Sequence, residues 1–194
     1  AACGRARRLG QALQMLATMR ERRCAPDTVA YSAAISACGW SWQHEEATRL
    51  LAEMAGQRLA RDAIAFNAAI GACEAASAWG EALELHGRMR DARISPDVVT
   101  FNALISACSK SGRSDGALQL LYSMPGQSAT PDEVTYGTLI SACERGSSPS
   151  RAWQLYGAMR ARRVVPNGVT LATLAVACGK GRQPLRALEL MEAV

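Results

Sequence analysis

The sequence predicts an all-α protein: a right-handed α-solenoid of stacked antiparallel helix pairs. Three observations carry that expectation. First, Cys3, Cys38, Cys73, Cys108, Cys143 and Cys178 are spaced 35 residues apart, and Met19, Met54, Met89, Met124 and Met159 keep the same period. A fixed period of this length marks an array of one supersecondary unit. Second, each unit carries two apolar stripes with i, i+3, i+4, i+7 spacing, the mark of two helices that each bury one face. Third, Pro26, Pro96, Pro131 and Pro166 recur at one slot, with Arg61 in the vacant one. Proline there stops the second helix before the next unit begins.

Counting each unit from two residues after that proline gives complete copies at 28–62, 63–97, 98–132 and 133–167. They are flanked by partial copies at 1–27 and 168–194. In copy three the first helix carries Phe101, Leu104, Ile105 and Cys108 at positions 4, 7, 8 and 11. Glycine and serine (Ser111, Gly112, Ser114) break the chain. The second helix carries Ala117, Leu120, Leu121 and Met124 at positions 20, 23, 24 and 27. Alanine recurs at position 20 (Ala12, Ala47, Ala82, Ala117, Ala152, Ala187), which implies close approach of two helices. One such pair cannot bury its own stripes, so neighbours must stack, and three or more copies are needed for a core. The whole of 1–194 reads as a single array that starts and stops in mid-repeat, as expected of a segment of a longer chain. The basic start AACGRARRLG is already in repeat register, which favours array over targeting peptide.

Composition narrows the chemistry. Apolar residues make up 49% of the 194 residues, and the net charge of +5 mildly favours a polyanionic partner. No run of 18 apolar residues occurs, so no membrane insertion is expected. The cysteines fall on neighbouring layers expected about 8–10 Å apart, beyond the roughly 7 Å limit for a disulfide. No CxxC or HxxxH spacing points to zinc. They read as small buried thiols, with Cys24 off the beat. His44 and His86 are isolated, and no nucleophile, phosphate loop or cofactor motif is evident, so a non-enzyme with no metal and no cofactor is expected. Trp42, Trp79 and Trp153 share no position and read as packing or partner contacts. Arginines late in the second helices (Arg20, Arg22, Arg23; Arg88, Arg90, Arg93; Arg160, Arg162, Arg163) could hold phosphates, but more simply complement a helix C-terminus.

The strings VVTFNALISAC and SGRSDGALQLLYSM, followed by Pro-Asp, closely resemble the pentatricopeptide repeat family. So do EVTYGTLISACERG, TVAYSAAISACGW and AIAFNAAIGACEA, and the resemblance runs through the whole chain. It implies binding of single-stranded RNA, mRNA or rRNA, one base per repeat, in mitochondria or plastids, supporting transcript stability, processing or translation. It assigns the base-edge role to positions 5 and 35 and the clamp to position 2. Position 2 holds Val29, Ile64, Val99, Val134 and Val169. These stiff β-branched side chains suit a clamp or, alternatively, start a helix and fill a groove. The reading pairs are Ser32 with Asp62, Asn67 with Asp97, Asn102 with Asp132, and Gly137 with Asn167. Asp at position 35 is equally suited to capping the next helix. By the family's code the pairs imply guanine, uracil, uracil and an undefined base leaning to adenine. Lys110, Arg145 and Lys180 at position 13 are phosphate candidates. Four positions give only about 1-in-256 discrimination, little against the many competing sites in a transcript pool. A scaffold subunit of a large organellar assembly, a ribosome or bioenergetic complex, contacting protein, is therefore the alternative.

Overall fold

A computed structural model describes residues 2–57, 59, 61–146 and 148–181. Among these there are ten α-helices, one short 3₁₀ turn and no strand. The first helices of successive units are α2 (Thr28–Trp40), α4 (Ala63–Ala75), α6 (Val98–Lys110), α8 (Glu133–Arg145) and α10 (Gly168–Lys180). The second helices are α3 (His44–Gly56), α5 (Trp79–Asp91), α7 (Ser114–Ser123) and α9 (Pro149–Ala161), preceded by α1 (Ala2–Glu21). Each first helix therefore starts 35 residues after the last. Ser114 opens α7 rather than interrupting the chain.

The stripes pack as a continuous core. Tyr31, Phe66, Phe101 and Tyr136 at position 4, and Ile35, Ile70, Ile105 and Ile140 at position 8, are fully buried or nearly so. Ala47, Ala82, Ala117 and Ala152 at position 20 have no exposed surface, as close helix approach requires. Cys38, Cys73, Cys108, Cys143 and Cys178 are buried, and Cys24 is exposed. Desolvation, with a smaller push from Glu46 or Glu81, raises Cys38 and Cys73 to about 11. Ala187 and the Cys3 side chain lie outside the described residues. Trp79 packs under the Arg113 guanidinium at 4.2 Å, and Trp153 lies 5.4 Å from the Tyr156 ring.

Two local departures have plain causes. α1 runs through the place where other units turn, because positions 14–16 there hold Ala6, Arg7 and Arg8, all good helix formers. α7 stops at Ser123 because Pro125 sits inside what is helix in the neighbouring copies; a 3₁₀ turn, Pro125–Gln127, follows.

The turns repeat as faithfully as the helices. Trp42, Ser77 and Gly112 at position 15 have φ of 61°, 58° and 71°. Arg23, Arg93, Ser128 and Arg163 at position 31 lie between 56° and 60°. Each is the left-handed residue that ends a helix, closed by a bond such as Arg113 N–H to Cys108 C=O at 2.8 Å.

Each first helix packs on the next first helix, α2 on α4, α4 on α6, α6 on α8 and α8 on α10. Second helices pack on their own and the following first helix; their backbones stand farther from one another, linked by the ion pairs Arg20–Glu53 and Arg151–Asp115. The closely spaced layer is the inner one. First helices thus line the concave face, and positions 2, 5, 13 and 35 belong to them or their entry.

Candidate nucleic-acid interface

The interface begins at the entry of each first helix. Asp27, Asp62, Asp97, Asp132 and Asn167 take extended backbone and cap the helix that follows. In each, a side-chain oxygen accepts the N–H three residues on at 2.8–2.9 Å. Position 35 is therefore a helix cap in every copy, and in the four aspartates the cap N–H bonds to Oδ1, not Oδ2.

The residue after the cap's neighbour is exposed. Val29, Ile64, Val99, Val134 and Val169 retain 53–74% of their surface, although all are apolar and β-branched. They do not fill a groove in the core. They stand as a row of stiff apolar studs, one per helix, along the inner face.

Between the studs sit the position 5 residues, and the copies differ. Asn67 donates its Nδ2 to both Asp97 carboxylate oxygens at 3.2 Å. Asn102 does the same to Asp132 at 3.1 and 3.4 Å. These pairs are 30 residues apart in sequence, so stacking alone joins them. Desolvation acts to raise the Asp97 and Asp132 carboxyls. Hydrogen bonds from the following threonine and from the asparagine amide outweigh it and leave both below their ordinary value. Ser32 forms no such bond; its Oγ is buried without a partner. Gly137 offers no side chain, and a Cβ there would meet Thr170 Oγ1 at 3.3 Å.

The missing side chain contributes to an open groove of about 360 Å³, whose lining includes Lys110, Arg145, Val134, Val169, Asn167 and Ser109. Position 13 lies eight residues beyond position 5, about 12 Å along the helix. The cations there are not equivalent. Lys110 Nζ lies 2.6 Å from Glu74 Oε1, and Lys180 is paired with Glu144. Ser106 also donates to Glu74, at 2.7 Å. Glu74 and Glu144 hold position 12 of the preceding copy. Arg145 meets Ser109 in that slot, whose buried Oγ has no partner, and Arg145 makes no ion pair among the described residues. Glu74, Glu144 and the position 3 threonines were not among the residues expected from sequence. Their signal was an acid and a cation offset by 36, and a Thr following the cap, in register. No cluster of three or more metal-ligating side chains occurs among the described residues. Nor is any described helix long and apolar enough to cross a membrane.

Models of one repeat family match along the chain. "PPR repeat family" matches residues 61–110 and 96–145, "Pentatricopeptide repeat domain" 1–41, and "PPR repeat" 29–59 and 134–164. The chain belongs to the pentatricopeptide repeat family. No curated protein matches it. Among solved structures, pentatricopeptide repeat protein PPR10 from maize is 28% identical over 97% of the chain, with a TM-score of 0.73. The same protein in complex with an 18-nt psaJ RNA element is matched at 22% identity over 92% of the chain, TM-score 0.75. The chain spans about a quarter of PPR10, 27% and 26% in these two structures. The pentatricopeptide repeat domain of Arabidopsis thaliana protein-only RNase P 1, in complex with tRNA, is 17% identical, TM-score 0.73, with 82% of this chain and 84% of that one covered. At that identity the likeness concerns the fold.

Proposed function

We propose that these pentatricopeptide repeats bind single-stranded RNA along the concave face, one base per helix pair, without catalysing a reaction. The observation that carries this reading is the exposed row at position 2, in register with the polar pairs at 5 and 35. Apolar side chains left in solvent at one point of every repeat fit insertion between bases, while the Asn–Asp pairs offer a donor and an acceptor to a base edge. The RNA-bound state of PPR10 and of the RNase P 1 repeat domain supports the same use of the fold. Read 5′ to 3′ along the array, the preferred bases are G (Ser32, Asp62), U (Asn67, Asp97), U (Asn102, Asp132) and an A-leaning fourth (Gly137, Asn167). Lys110, Arg145 and Lys180, farther along the same helices, are the proposed phosphate contacts. An organellar transcript, in mitochondrion or plastid, is the proposed target, bound for stability, processing or translation.

Anisotropy with an RNA carrying GUUA in an otherwise uniform strand, varied one base at a time, tests this. Asn67→Ser should shift preference at the second base alone; an unchanged profile rules out the assignment.

A protein-contacting scaffold is the second reading. It is favoured by a groove of about 270 Å³ on the second-helix side, where Tyr122 is 75% exposed beside Leu118, Leu121 and Leu155. Absence of any base preference in the same experiment would leave that reading standing.

A further inference from the structure

We infer that Thr100 and Thr135 are positioning residues that set which base their repeats accept, by holding the asparagine of the preceding copy in one orientation. This rests on the RNA-reading proposal above.

Thr100 and Thr135 occupy position 3 and are fully buried. Each hydroxyl accepts the cap's own backbone N–H, at 3.2 Å from Asp97 and 3.1 Å from Asp132, closing a capping box. Each then has one proton to give. Its nearest acceptor is the amide oxygen of the preceding asparagine, 2.6 Å away for both Asn67 and Asn102. The cap carboxylate stands slightly farther, at 2.9 and 2.8 Å. The other end of each amide donates to that carboxylate, which can only accept. The carboxylate thus fixes the N–H end of the amide, and the hydroxyl proton, nearer to the amide oxygen than to the carboxylate, holds the other end. The carbonyl is turned into the protein, and the second N–H of the amide and a carboxylate oxygen are left for a base.

Order along the edge then decides the base. Uracil presents an acceptor at position 4 and a donor at position 3; cytosine presents the reverse. With the base plane set by the apolar studs, an amide fixed N–H outward suits the first order. An amide free to turn offers its oxygen to the second. Copy one lacks the device: Ala65 stands at position 3 and the Ser32 hydroxyl is unpartnered. The device spans two repeats, because the threonine belongs to the unit after the asparagine it orients.

The test is uracil-over-cytosine preference, base by base. Thr100→Val should lower that preference about tenfold at the second base and leave the third, served by Thr135, unchanged. Thr100→Ser, which keeps the hydroxyl, should restore it. In the reverse direction, Ser32→Asn with Ala65→Thr should give a stronger first-base uracil preference than Ser32→Asn alone. A parent array with no base preference overturns the RNA-reading proposal itself. A parent that discriminates, with Thr100→Val discriminating equally, overturns only the threonine inference. So does a loss at both bases together, or a loss that serine does not restore.

Discussion

Two of the three cations on the concave rim are already engaged by the protein's own carboxylates, and this sets a measurable expectation. Lys110 with Glu74 and Lys180 with Glu144 are partly exposed pairs, their side chains retaining 43% and 24%, and 53% and 18%, of their surface. Pairs of that exposure contribute at most about 1 kcal/mol, so a phosphate can displace the glutamate, but at that cost. Glu74→Gln keeps an acceptor for Ser106 and removes the competing charge. RNA affinity should then rise by up to about fivefold, and Glu144→Gln should act likewise. Each cation newly given to phosphate should steepen the salt dependence by about 0.7 in log–log slope. That slope makes a further factor of about 2.6 between 50 and 200 mM salt. Arg145 has no ion-pair partner among the described residues, so Arg145→Gln should lose about the same slope in the parent protein. Lys110→Gln should cost little in the parent and clearly more in the Glu74→Gln background. The assay is anisotropy over a salt series with one RNA. If Glu74→Gln weakens binding, or Lys110→Gln costs the same in both backgrounds, the carboxylates are not competitors and the reasoning fails.

Other expectations concern stability and reactivity. His86 takes position 24 in α5, where Leu51 and Leu121 stand in neighbouring copies; it is 9% exposed, with Nε2 unpartnered and its ring edge-on to Phe101 at 5.6 Å. Burial, then Arg90, lowers its pKa against an opposing hydrogen bond to Gln127, so folding favours its neutral form. Its contribution is complete above the unfolded value near 6.5 and is lost as pH falls through the lowered folded value. His86→Leu should stabilise by about 1–2 kcal/mol at pH 7 and flatten that acid-side decline in urea titrations; an equal decline in the variant contradicts the assignment. Trp42→Gly and Ser77→Gly, at positive φ where copy three has Gly112, should each raise the unfolding midpoint, by about 0.5 kcal/mol. A lower midpoint would mean those side chains hold the turn. A maleimide should label Cys24 in the native protein and spare Cys38 and Cys73, whose thiols burial pushes to about 11. Native labelling of Cys73, read by mass spectrometry, would mean that layer opens.

What could be read in the sequence is what repeats with the period. Cys108 and Met124 give the core, Pro131-Asp132 gives the cap, and Val99 and Val134 give the row at position 2, because each is one residue type at one position. The relation of Asn67 to Thr100 is a different kind of fact. Neither residue is unusual alone, and they meet only because one helix stacks on the next, 33 residues later. The same holds for Glu74 and Lys110, 36 residues apart. Whether a cation is free depends on the neighbouring copy, and Ser109 in place of glutamate releases Arg145. Deviations such as the unbroken α1 follow from local propensity at Ala6, Arg7 and Arg8, which a strong surrounding period hides.

The unequal packing of the two helix layers has a mechanical consequence. First helices rest on one another, whereas second helices stand farther apart and are joined by side-chain tips such as Arg20 with Glu53 and Arg151 with Asp115. When such a stack flexes, the line of unchanged length runs along the touching layer, and extension or compression is taken up at the outer rim. The array then works as a ruler whose graduations are on the inside: its superhelix can open or tighten to follow a strand while the step from one base-reading station to the next is preserved.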